Sequence, residues 1–71
     1  MDTKYCVIQT NQVGIPTSCL LFPTQILAVN CAKRIASENG REIEINNRYI
    51  GCHYEDDDYD YSGVWVIKVE E

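Results

Sequence analysis

A chain of 71 residues has room for one domain, spanning 1–71, and none for a deep internal substrate pocket; at this length only about 60% of the unfolded surface is buried on folding. Hydrophobic residues make up 45% and charged residues 24% of the chain, which excludes a disordered polypeptide. The net charge is −5, and seven of the eleven acids lie at or after Glu55, where Lys68 is the only base, so the field repels nucleic acid and membrane surfaces and favours a cationic protein partner.

Residues 4–10 read as a strand, with Tyr5, Val7 and Gln9 alternating against Cys6, Ile8 and Thr10. Asn11, Gly14 and Pro16 punctuate a turn, and residues 17–22 form a second, short edge strand, completing an antiparallel hairpin. Thr24 is placed to cap a helix, its hydroxyl accepting from a backbone N–H two or three residues on. Leu27, Cys31 and Ile35 recur every four residues, as do Ala28, Ala32 and Ala36, giving one apolar stripe. Asn30, Lys33, Arg34, Ser37 and Glu38 take the other side, and Asn39-Gly40 ends the helix because glycine accepts the left-handed conformation there.

Residues 41–46 alternate with period two, Ile43 and Ile45 against Glu42 and Glu44, as in a strand with one wet face. Asn46-Asn47 signals a tight turn, since asparagine tolerates positive φ. In residues 48–54, Ile50 and Cys52 oppose Tyr49, Gly51 and His53, and Gly51 marks a bulge or a close approach. In the last strand Val64, Val66 and Lys68 oppose Trp65, Ile67 and Val69; the second set is expected against the helix, with the reverse register as the alternative. The order β-β-α-β-β-β predicts an α+β domain, a single helix on a small antiparallel sheet.

The functional signal is the stretch Glu55, Asp56, Asp57, Asp58, Tyr59, Asp60 and Tyr61, read as a hairpin tip. Like charges about 4 Å apart cost about 1 kcal/mol per pair even in water, a repulsion relieved by solvent or by a cationic partner. The two tyrosines favour the partner, because their rings bury area at low entropy cost and stack on guanidinium groups. Asp56, Asp58 and Asp60 match the alternation of a calcium loop, but Tyr61 stands where the glycine belongs. Cys52 and His53 are adjacent in a strand and point to opposite faces, so they cannot act as nucleophile and base together. The four cysteines lie 12 to 21 residues apart, with no zinc knuckle, and Cys6, Cys31 and Cys52 read as core residues. No metal, cofactor or catalytic set is expected. Lys33 and Arg34 form a small positive patch, a solvated face or a second partner contact. No leader or membrane-length apolar run is read from the sequence, which suggests the cytosol and reduced thiols.

The segment Ala32-Lys33-Arg34-Ile35-Ala36-Ser37, set between an N-terminal hairpin and a C-terminal sheet, resembles a group of small phage-encoded anti-CRISPR proteins, the ninth inhibitors of type I-F systems. The Tyr5-Cys6-Val7-Ile8 strand, the glycine-then-aromatic strand from Gly51 to Tyr54, the acidic turn and the strand Val64-Trp65-Val66 also recur. The resemblance implies a non-enzymatic inhibitor in the cytoplasm of an infected bacterium. It would occupy Cas subunits of a crRNA-guided complex where target DNA binds. Lys33 and Arg34 fall on the matching helix. The tip here is far more acidic than in that group, which fits a DNA-imitating mode in which carboxylates meet arginines and lysines that normally hold phosphates. The alternative from the residues alone is an assembly module pairing with a partner subunit through the edge strand at residues 17–22.

Overall fold

A computed structural model describes residues 3–70, apart from the side chains of Thr3 and Glu70. Strands β1 (Thr3–Thr10) and β2 (Pro16–Phe22) form the first hairpin, helix α1 (Gln25–Glu38) follows, and β3 (Glu44–Ile45), β4 (Ile50–His53) and β5 (Gly63–Glu70) complete the chain. All five strands share one antiparallel sheet in the order β2-β1-β5-β4-β3. The architecture is therefore the α+β arrangement expected, with β5 carried to the middle of the sheet between β1 and β4.

Both ends of α1 follow from local chemistry. Thr24 has extended backbone angles and its Oγ1 accepts from Leu27 N at 3.3 Å, occupying one of the orphan donors of the first turn. At the other end Gly40 takes φ +71°, and the Arg41 N–H turns back to Ala36 O at 2.8 Å. That bond diverts Arg41 from the sheet, so the six-residue strand expected over 41–46 shrinks to the pair Glu44–Ile45. The turn after it works differently from the sequence expectation. Among the described residues no side-chain-bearing residue has positive φ; instead Asn46 Oδ1 accepts from the N–H groups of Arg48 and Tyr49, at 2.8 and 3.0 Å.

The core lies between α1 and one face of the sheet. Ala28, Ala32 and Ala36 are fully buried, with Cys31 and Ile35, against Val7, Cys52 and Val64. Three alanines bring the helix axis so close that only side chains of valine or cysteine size fit centrally beneath it. This overturns the expected register of β5: Val64 and Val66 pack toward the helix, and Trp65, Ile67 and Val69 turn to the uncovered face. Leu27, assigned to the stripe from its spacing, is half-exposed, because the buried rows centre on Ala32 and leave Leu27 at their margin. Cys6 is buried as expected, but it alternates with Val7 and so lies on the uncovered side, opposite Ile67 and Leu21. Cys6, Cys19, Cys31 and Cys52 are all free thiols. No helix among the described residues is long and apolar enough to cross a membrane.

Candidate cation-binding cleft

The acidic stretch is the connection between β4 and β5, and a set of short bonds folds it back. Tyr54 N donates to Ser62 O at 3.0 Å and closes the base of the loop. Asp57 Oδ1 accepts from Tyr59 N at 2.9 Å, and Asp60 N donates to Asp57 O at 3.1 Å, making a turn at the tip. Asp60 Oδ1 then accepts from both the N–H and the hydroxyl of Ser62. The Ser62 hydroxyl first, then its N–H, holds the Asp60 carboxyl below the usual aspartate value of 3.8, with His53 helping. Tyr61 is stitched to the β1–β2 hairpin: its N–H donates to Gln12 O at 2.9 Å and its carbonyl accepts from Thr10 Oγ1 at 2.7 Å. The hairpin connection is thus a strap tied at both ends.

Folding back gives the loop a concave side. Glu55, Asp56, Asp57, Asp58 and Asp60 line a cleft of about 530 Å³, and Glu42 and Glu44 close it from the β3 limb. Seven acidic residues therefore line one opening, and Arg41 is the only lysine or arginine among its lining residues. Arg41 works as a tie: Nε donates to Tyr54 O at 2.9 Å and Nη1 meets Asp56 Oδ1 at 3.1 Å. The Asp56 side chain is 90% exposed, so this ion pair is worth little in stability. Its effect is to join the helix end to the loop.

Beside the cleft the uncovered face of the sheet carries an aromatic floor. Gly51 and Gly63 lie where the Trp65 indole spreads across the sheet; a methyl group on Gly51 would sit 2.6 Å from Trp65 Cε3 and 2.2 Å from Val64 O. Close approach, not a bulge, is what Gly51 supplies. Tyr49 and His53 set their rings edge-on to the indole, with centroids 5.7 and 4.9 Å away. Trp65 Nε1 donates to Thr10 Oγ1 at 3.4 Å, and the Tyr49 hydroxyl donates to Glu44, a bond that raises the tyrosine above its ordinary value. Aromatic rings and carboxylates are therefore linked through Tyr49–Glu44 on one side and Thr10–Tyr61 on the other.

The residues expected at the site divide accordingly. Glu55, Asp56, Asp57, Asp58, Asp60 and Tyr61 come together in the cleft. Tyr59, 87% exposed, is outside its lining. Lys33 and Arg34 are exposed on α1 and flank different grooves, Lys33 with Ser37 and Glu42, Arg34 with Phe22 and Leu27, so they form no joint patch with the loop. Glu42, Glu44 and Tyr49 join the site although the sequence marked them only as strand residues, while His53, weighed only as a base beside Cys52, and Trp65, expected against the helix, supply its aromatic side. The alternation of Glu42 and Glu44, and a glycine either side of a loop leading to Trp65, were the available signals.

Cys52 belongs to the core, where burial first of all raises its thiol, while His53 stands on the other face beside Trp65. Burial, and after it the neighbouring Cys19 thiol, pushes Cys6 up to about 11. Among the described residues no group of three or more His, Cys, Asp or Glu is placed to hold a metal ion. Comparison with known proteins finds no matching family model, curated relative or solved structure.

Proposed function

We propose that this chain is a non-enzymatic phage inhibitor that occupies a cationic, nucleic-acid-handling protein surface, namely Cas subunits of a crRNA-guided complex, and thereby blocks target DNA. The observation that carries the reading is the cleft lined by seven acidic residues with one partnered arginine, bordered by the rings of Tyr49, His53 and Tyr61. Carboxylates spaced along a loop offer arginine and lysine side chains what phosphates offer, and flat rings beside them offer what bases offer. The resemblance of residues 32–37 and the strand pattern to type I-F anti-CRISPR proteins supplies the choice of target.

The test uses a purified type I-F surveillance complex and labelled target DNA in a mobility-shift assay. Pre-incubation with this chain is expected to abolish the shift, and the variant with Asp56, Asp57, Asp58 and Asp60 all changed to Asn to restore it. A complex that binds DNA equally well with and without the chain overturns the choice of target. A four-Asn variant that inhibits as strongly as the parent overturns the role of the loop.

A further inference from the structure

We propose that β2 is the pairing edge of a two-fold dimer of this chain, independent of the acidic cleft. β2 ends the sheet, and its sequence PTSCLLF carries no charge. Natural edge strands are guarded by charges, inner prolines, bulges or shortness. Here the guards are few: Pro16 stands at the first position, and one bulge at Thr17 separates the pairs Gln9–Ser18 and Thr10–Pro16. Beyond it the ladder is regular over residues 18–22, and two leucines are open on opposite faces of it, Leu20 at 47% and Leu21 at 59%.

Symmetry fixes the register. Hydrogen-bonded and non-hydrogen-bonded pairs alternate along an antiparallel ladder. A strand meeting its own copy about a two-fold axis must therefore set one residue opposite itself. The centre of the regular stretch is Leu20. That axis places Leu20 against Leu20 of the second copy on the helix side, Cys19 against Leu21 on the uncovered side, and Ser18 against Phe22. Apolar side chains are then covered on both faces of a continuous ten-strand sheet.

Charge selects a second copy as the occupant. A cationic partner finds no carboxylate on β2, while two copies carrying −5 each can meet there without bringing their acids together. The Glu44 strands lie at the far ends of the joined sheet, nine strand spacings or roughly 43 Å apart at about 4.8 Å each. That is several times the screening length of about 8 Å at physiological salt. The antiparallel axis also sends the two 54–62 loops to opposite ends of the strands.

Sedimentation equilibrium across a concentration series tests this directly. The wild-type chain is expected to reach twice its 8.1 kDa mass. Leu20→Lys, which sets two ammonium groups face to face at the axis, is expected to raise the dimer dissociation constant at least roughly a hundredfold, with an unchanged far-UV circular dichroism spectrum. Hydrogen exchange on the wild type needs no variant: outward-pointing amides within residues 18–22 are expected to gain protection as concentration rises. A wild-type chain that stays at 8.1 kDa at every concentration overturns the proposal. So does a dimer whose β2 amides exchange at a concentration-independent rate, or one that a folded Leu20→Lys variant leaves intact.

Discussion

On β5, Val64 and Trp65 are neighbours in sequence and belong to opposite surfaces. Val64 is fully buried beneath three alanines of α1, whereas Trp65 lies spread over Gly51 and Gly63 on a face that no helix covers. The centre of the covered face holds only small residues because the helix backbone is near, with Tyr5, Phe22 and Tyr54 at its margin; the uncovered face holds the one tryptophan because two glycines make a floor for it. The buried core lies on the first surface, and the proposed recognition site borders the second. Large rings commonly mark a core, and here the largest ring marks the surface beside the cleft.

Substitutions can break this division, starting where the effect is largest. Gly51→Ala forces a methyl into Val64 O and the indole at a residue with φ +155°, so it is expected to destabilise the fold by about 3 kcal/mol, read as a drop in urea midpoint. Ala32→Leu, against a fully buried position of the covered face, is expected to cost roughly 1–3 kcal/mol by overpacking. The same measurement on the four-Asn loop variant is expected to fall far closer to the parent than Ala32→Leu does, since lost pairing with Arg41 and relieved repulsion are both small at an exposed loop and an amide oxygen at position 60 can still accept from Ser62. A loop variant as unstable as Ala32→Leu would mean that the strap, and not only the helix side, holds the fold.

Much of the covered face was legible beforehand. The four-residue spacing of Ala28, Ala32 and Ala36, the Thr24 cap and the Gly40 stop describe α1 by local rules alone, and the succession of elements along the chain, though not their order in the sheet, followed from runs of β-branched residues. The side that Trp65 takes was not legible, because period-two alternation defines two faces without saying which one the helix covers. That choice depends on the closeness the alanines allow. The cleft was half legible: the acids of the loop stand together in sequence, while Glu42, Glu44 and Arg41 join them only through the diverted helix end and the short β3. Lys33 and Arg34, adjacent in sequence, are parted by the 100° step of the helix.

A smaller effect sharpens the account of the loop itself. With its folded pKa depressed, Asp60 contributes stability that is present above the ordinary aspartate value of 3.8 and is lost as pH falls through its lowered folded value. Carbon-detected NMR titration is expected to give an Asp60 midpoint below 3.8, and Ser62→Ala is expected to move it back upward. An Asp60 midpoint unchanged by Ser62→Ala would mean that the strap is not closed by that bond in solution.

The central claim, that the acidic cleft and its aromatic border receive cationic side chains, is tested most directly by Trp65, the only tryptophan in the chain. An oligo-arginine peptide titrated into the protein at several salt concentrations, with tryptophan emission recorded, is predicted to give a saturable change. Its apparent dissociation constant should rise steeply with salt, and the signal should be lost in the four-Asn variant. Emission that does not respond to the peptide, or responds identically in the variant and at every salt concentration, would contradict it.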